Sequence, residues 1–215
     1  SNRLKFGYSK IEETLLKKHK TDLVYFLSPS TYAIDFINIP YIITIWDLCH
    51  RDYNEFPEVR NNKSFENKEY FYNIVLKKAI SITTDSELGK KNITRRYGID
   101  DSRIQILKFL PRIDRNHKKN SINIKQKYNL KDHFIFYPAQ FWAHKNHIYI
   151  LKALRHLKED HSLVIDAAFS GANKGNLNYI LEKAKEYGIE KQIHYIGFVP
   201  DEDIPFLYKE ALALT

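Results

Sequence analysis

Apolar residues along the chain recur in two alternating rhythms. Short continuous runs at residues 23–27, 39–45, 82–84, 104–107, 134–137, 163–168 and 193–196 are too brief for helices. They are rich in β-branched and aromatic residues, and they predict buried strands. Between them apolar residues stand at helical spacing: Ile11, Leu15 and Leu16, then Tyr70, Ile74 and Leu76. The same spacing recurs at Ile148, Leu151, Leu154 and Leu157, and at Leu177, Ile180, Leu181 and Ala184. Helices are therefore expected near residue 11, over 65–78, from 146 and from 177. Another is expected over 87–97, capped by Ser86 and stopped by Gly98. Asp201-Glu202-Asp203, with Pro205 just beyond, opens a last helix, and apolar residues 211–215 begin a last strand. Strands alternating with helices imply an α/β fold with parallel sheets and crossover helices. The rhythm lapses over residues 111–123, a polar stretch that includes Arg115, His117, Lys118 and Lys119; a domain boundary is expected near 114, dividing 1–113 from 114–215.

Composition narrows the class. With 43% hydrophobic and 28% charged residues, the 215-residue chain is of ordinary globular type and long enough for one or two cores. The single cysteine, Cys49, excludes an internal disulfide framework and fits a reducing cytoplasm. No apolar run approaches the ~20 residues of a spanning helix. The net charge of +8 is diffuse; it suits an anionic substrate, an anionic membrane surface, as in peripheral contact with the inner membrane, or nucleic acid, and does not choose among them. The basic residues form no single stripe and the aromatics fall within the apolar runs, so nucleic acid is not the expected partner. No G-x-G-x-x-G occurs among the seven glycines, which argues against a dinucleotide-dependent oxidoreductase.

The chemistry concentrates where strands pass into helices. Tyr137 to His147 is such a crossing, with Lys145-Asn146 at the mouth of the helix, where free backbone N–H groups and the helix dipole favour anions. The next strand runs into Gly171, Ala172, Asn173, Lys174 and Gly175, and the third into Gly197-Phe198-Val199 before the acidic helix start and Tyr208. In order and spacing these motifs resemble the donor-binding domain of retaining glycosyltransferases of the GT-B fold, family four (glycosyl transferases group 1), over about the last 85 residues. The resemblance implies two Rossmann-like parallel-sheet domains, both incomplete in this chain. Residues 1–113 would be the C-terminal part of an N-terminal, acceptor-side domain, and 114–215 the first half of a donor domain, with strand ends opening towards one cleft.

The implied activity is transfer of a hexose from a nucleoside diphosphate sugar to a glycan or lipid-linked acceptor in bacterial surface polysaccharide synthesis. No bound cofactor is implied beyond the donor itself. The leaving diphosphate would be stabilised by basic side chains and helix N-termini. Gln140, Lys145, Asn146, Gly171, Asn173, Lys174, Phe198 and Val199 are the implied donor-binding residues. Gln140 stands where many relatives carry Arg, so it donates hydrogen bonds but no charge.

In the first half, Trp46-Asp47-Leu48 follows a strand at the place of the family's His-Asp motif, with Trp46 where relatives have His. Asp47 and His50 are the candidate catalytic residues, expected to face the acceptor. Asp47, Cys49, His50 and Asp52 lack the paired spacing of structural zinc sites, and no metal is expected. The family's pair of glutamates separated by seven residues would follow the strand that starts at 211. The chain is thus expected to be truncated, inactive by itself, and prone to self-association through an exposed sheet edge. A non-catalytic nucleotide-sugar-binding domain is the alternative, and a nucleic-acid-binding protein the more remote one.

Overall fold

The structure, a computed structural model, describes residues 11–110 and 123–214. The chain divides into two compact units, Ser1–Arg112 and Ile113–Thr215. The boundary expected near 114, and most of the polar linker around it, lie outside the described residues.

Unit 1 runs α1 (Ile11–Lys18), β1 (Val24–Phe26), β2 (Tyr41–Thr44), α2 (Cys49–Asp52), α3 (Pro57–Arg60), α4 (Ser64–Lys78), β3 (Ser81–Thr84), α5 (Glu87–Tyr97) and β4 (Ile104–Ile106). Its four strands form a parallel sheet in the order β1-β2-β3-β4. Parallel neighbours need crossover connections: α4 supplies the one from β2 to β3 and α5 the one from β3 to β4, while a 3-10 turn, Thr31–Asp35, lies between β1 and β2. Ile43, Ile82 and Ile104 stand in register across β2, β3 and β4 and share one core with Val75 and Leu76 of α4 and Ile93 of α5. Fully burying such a side chain contributes roughly 1.5–3 kcal/mol.

Polar anchors fix the approach to β2. Glu13 of α1 accepts hydrogen bonds from the backbone N–H groups of Ile37, Asn38 and Ile39 at 2.7, 2.7 and 3.0 Å, and from Asn38 Nδ2 at 2.9 Å. Burial by itself would raise the Glu13 pKa, but these hydrogen bonds outweigh it and hold the group at about 2.

Unit 2 runs α6 (Ile124–Lys127), β5 (Phe134–Pro138), α7 (His147–His161), β6 (Asp166–Ser170), α8 (Leu177–Glu186), β7 (Ile193–Gly197), α9 (Ile204–Glu210) and β8 (Ala213–Leu214). The parallel sheet has the order β7-β6-β5-β8. Both faces are covered. Leu151 and Leu154 of α7 and Ile180 of α8 pack with Ala167 and Phe169, while Leu207 of α9 and Ile124 of α6 pack with Phe134, Phe136 and Ala168.

Three boundaries differ from the sequence expectation. The strand expected over 163–168 is shifted to Asp166–Ser170, leaving Leu163 and Val164 exposed. Asp166 enters the sheet as a buried carboxylate because His194 Nε2 (2.7 Å) and Lys131 Nζ (3.2 Å) hold it. Helix α7 starts at His147, because Asn146 takes a left-handed φ of 52°. Helix α9 starts at Ile204, since Asp203 is turned inward onto Lys127 Nζ and Tyr128 Oη, each at 2.5 Å.

Candidate functional site

The C-terminal ends of β5, β6 and β7 carry the sequence-predicted donor residues. After β5 the chain passes through Ala139, Gln140, Phe141 and Trp142 into a single 3-10 turn, Ala143–Lys145, and then into α7. After β6 it turns at Gly171, whose φ is 134°. A Cβ at Gly171 would lie 2.6 Å from the Ala139 carbonyl oxygen and 2.8 Å from the Gln140 nitrogen. Only glycine permits this approach of the two loops. Their backbones are also joined directly: Phe141 N–H donates to Ala172 O at 3.0 Å, and Asn176 N–H to Phe141 O at 3.3 Å. The third loop is tied in by Gly171 N–H donating to Gly197 O (2.9 Å) and Tyr195 Oη donating to Gly171 O (3.0 Å). The three loops are therefore one hydrogen-bonded surface.

On that surface Lys145 is exposed at the mouth of α7, its carbonyl held by Tyr137 Oη at 2.7 Å. Asn146 forms the left-handed entry to the helix. Gln140 is exposed, and its Oε1 accepts from Trp142 Nε1 at 3.0 Å. Lys174 Nζ lies 5.5 Å over the Trp142 ring, a cation–π contact that draws the β6 loop towards the β5 loop. Asn173 is turned onto its own loop, accepting from Gly175 N–H at 2.9 Å. Phe198 is 85% exposed. Val199, expected to meet the base, instead has its side chain in the core with Phe136 and Leu207, so only its backbone is free for contact. Burial of an aliphatic side chain outweighs a surface role there.

Beneath this surface lies His147, the first residue of α7. It is 0% exposed, stacked on Phe141 at 4.2 Å and edge-on to Phe169, and its ring nitrogens make no hydrogen bond of good geometry, only a weak approach to the Ala139 backbone. Burial pushes its pKa down to about 4, against a smaller opposing pull from the Ala139 backbone.

In unit 1 the ends of β2 and β3 border a cavity of about 240 Å³, walled in part by Trp46, Asp47, Tyr53, Thr84, Asp85 and Leu88. Asp47 is exposed there, and one of its oxygens accepts from Cys49 N–H at 3.0 Å. Burial, with Asp47 and Asp52 nearby, raises the Cys49 pKa, so this thiol is not an activated nucleophile.

His50 departs from expectation. It is 1% exposed, not directed at an acceptor: Nε2 lies 2.7 Å from Glu69 Oε1, and the ring stacks on Tyr72 at 5.4 Å. Burial is the largest influence on it and lowers its pKa. Glu69 gathers Arg51, Tyr97 (2.8 Å) and His50, and these hydrogen bonds, Arg51's first, hold its carboxyl at about 2. His50 is thus part of a polar support joining α2, α4 and α5. No sequence spacing announced Glu69 or Tyr97, which meet His50 only in three dimensions. Trp142 could have been noticed as the aromatic neighbour of Gln140.

Among the described residues no three His, Cys, Asp or Glu side chains are grouped to hold a metal ion, and no helix is long and apolar enough to cross a membrane.

Comparison with known proteins gives the fold and a family match for the second unit. Residues 118–215 match the family described as glycosyl transferases group 1. No curated protein matches the sequence. Among solved structures, HepE of Anabaena, determined with UDP-glucose, shares 16% identity at a TM-score of 0.71, over 94% of this chain and 55% of its own. WaaG, a glycosyltransferase involved in lipopolysaccharide biosynthesis, shares 16% identity at 0.68, over 94% and 55%. UDP-N-acetylglucosamine 2-epimerase of Rickettsia bellii shares 17% identity at 0.60, over 94% and 53%. The chain thus spans about half the length of the structures it matches. At these identities the likeness establishes the architecture, two parallel-sheet units of the GT-B type, while the match to glycosyl transferases group 1 covers residues 118–215.

Proposed function

We propose that the protein takes part in moving a hexose from a nucleoside diphosphate sugar to a glycan or lipid-linked acceptor, with retention of anomeric configuration, in the synthesis of a bacterial surface polysaccharide. We place it in the cytoplasm at the inner membrane face. The observation that carries this reading is the fused loop surface of unit 2. Gly171 lets the β6 loop close onto Ala139 and Gln140, and Lys145 stands beside it at the N-terminus of a 15-residue helix. Such a surface suits a diphosphate: backbone N–H groups and one full positive charge face the oxygens on which negative charge develops.

In the reaction the bond between the anomeric carbon and the diphosphate oxygen breaks. The acceptor oxygen bonds to that carbon, and the acceptor proton leaves to a base. Lys145, the N–H groups of α7 and Lys174 would stabilise the departing diphosphate. Gln140 and Asn146 would hydrogen-bond to it, Asn173 would shape the loop, and Phe198 with the Val199 backbone would border the base. On the acceptor side Asp47 is the exposed carboxylate able to orient a hydroxyl or accept its proton. His50 acts at most through Glu69 and the α2 turn, not by contact.

The test is turnover by the full natural chain with UDP-, GDP-, ADP- and dTDP-sugars, with and without acceptor glycans, comparing Lys145→Ala. A charged hydrogen bond to phosphate is worth roughly 1.5–3 kcal/mol, so the variant should transfer about one to two orders of magnitude more slowly. Unchanged transfer in the folded variant would remove Lys145 from the site. Epimerised donor without transfer to any acceptor would replace the transferase reading, since an epimerase shares the fold.

A further inference from the structure

The cavity at the ends of β2 and β3 has a charge character opposite to that of the protein. The chain carries a net +8, yet three of the lining residues are aspartates, Asp47, Asp52 and Asp85, and none of the described lining residues is basic. Asp52 is neutralised by a two-point ion pair with Arg96. Among the described residues neither Asp47 nor Asp85 has a cationic partner: Asp47 accepts from the Cys49 backbone, and Asp85 accepts from Ser86 Oγ at 2.9 Å. Each carboxylate has further lone pairs to offer, since an ionised carboxylate accepts about four hydrogen bonds.

Two more features belong to the same wall. Trp46 is 54% exposed and Tyr53 is 52% exposed, giving flat apolar faces at the rim. Thr84 is 1% exposed and its Oγ1 has no hydrogen-bond partner. A buried hydroxyl without a partner costs roughly 1–3 kcal/mol, and rotation about χ1 exchanges its methyl and hydroxyl groups. Volume sets the size of the occupant. At about 240 Å³ the cavity lies just below the ~300–1,000 Å³ of drug-sized pockets, so it takes one ring and not an oligomer.

We propose that this cavity binds the terminal ring of an uncharged, hydroxyl-rich acceptor sugar and discriminates against phosphorylated or uronic acid rings. Asp47 and Asp85 accept from ring hydroxyls, Trp46 or Tyr53 covers an apolar sugar face, and Thr84 Oγ1 gains its missing partner. A phosphate or carboxylate on the ring would face two unneutralised carboxylates in a confined space, where like charges repel strongly. The proposal rests on the glycosyltransferase reading for the word acceptor, but its binding chemistry is tested separately.

Sugar binding to the full natural chain is measured by calorimetry at fixed ionic strength. The ligands are methyl glycosides of glucose, galactose and mannose, and the matching hexose 6-phosphates and uronates. At least one methyl glycoside should produce a saturable heat, with its charged counterparts at least tenfold weaker. Asp85→Asn should narrow that gap to about threefold. Thr84→Val, which keeps the side chain's shape, should weaken the glycoside about five- to tenfold while leaving the unfolding midpoint unchanged or raised. Charged sugars binding as tightly as the glycoside, no saturable heat with any sugar, or undiminished glycoside affinity in Thr84→Val would overturn the proposal. Calorimetry of nucleoside diphosphates with the same protein separates the two ideas. Nucleotide binding without sugar binding sinks this inference alone, whereas sugar binding without nucleotide binding sinks the transferase reading.

Discussion

His147 should make unit 2 sensitive to acid, and one substitution should remove that sensitivity. The imidazole is enclosed by Phe141, Tyr137 and Phe169, with ring centroids at 4.2, 4.9 and 5.3 Å, and neither nitrogen makes a hydrogen bond of good geometry. Its pKa falls from 6.5 to about 4 because a charged ring cannot be solvated there. The unfolded chain therefore takes up the proton more readily than the folded one. The stability that depends on neutral His147 is present above pH 6.5 and is lost as pH falls towards 4. A displacement of this size corresponds to about 3 kcal/mol, a large part of the ~5–15 kcal/mol of a whole domain. In His147→Phe the ring stacking is kept and no proton can bind. At pH 7 the variant should be near wild type, the removal of two poorly partnered nitrogens being offset by mild overpacking. The assay is urea unfolding in a Trp46→Phe background, where Trp142 reports unit 2 alone, at pH values from 7 to 4. Wild type should lose about 3 kcal/mol more than the phenylalanine variant over that range. Equal losses, or an imidazole titrating above pH 6 by NMR, would refute the reasoning.

Two further perturbations test the supports of the two units. Gly171→Ala places a Cβ 2.6 Å from the Ala139 carbonyl oxygen at a φ of 134°, whereas Gly175→Ala, at a φ of 100°, meets nothing within 4 Å. Both incur the roughly 1–3 kcal/mol of an unfavourable backbone conformation. Only Gly171→Ala should also separate the loops, so its unfolding free energy should fall further and its nucleotide affinity should drop with it; equal effects would deny the loop contact. Glu69→Gln leaves Arg51 without its anion and weakens the hydrogen bonds to His50 and Tyr97. A loss of about 1–3 kcal/mol is expected in unit 1 by urea unfolding followed through Trp46 in a Trp142→Phe background, and an undiminished midpoint would show that the cluster does not support the fold.

The α/β alternation was legible because a parallel sheet covered by helices must bury continuous apolar runs while its helices show one apolar face. Helix α5 is an example: Ser86 accepts from Gly89 N–H at 3.2 Å, and Gly98 ends the helix in a left-handed conformation, both as its sequence implies. The shifted start of β6 was not legible. Residues 163–165 are as apolar as any strand, and the true start depends on Asp166 finding His194, 28 positions away. An aspartate ordinarily argues against a buried strand, and only its distant partners reverse that. The failure at His50 has the same origin. Position beyond a strand end suggested exposure, but Glu69 and Tyr97, 19 and 47 residues away, decide that the ring points inward.

The proposed donor surface poses a problem of charge that its own geometry narrows. A diphosphate gains negative charge as the sugar departs, and Gln140 cannot neutralise any of it. Its carbonyl is moreover engaged by Trp142, and towards an anion the amide can offer only its N–H groups. That contact has a second consequence, because it fixes the indole on which Lys174 rests. A cation held by a ring face in water is bound by only about 0.5–1 kcal/mol, much less than a charged hydrogen bond to phosphate supplies. Lys174 is therefore stored close to the β5 loop at little cost to its release. On the proposed reading its charge would add to that of Lys145 once a diphosphate binds. Gln140 then contributes to the electrostatics indirectly, by positioning the platform that keeps a second lysine within reach.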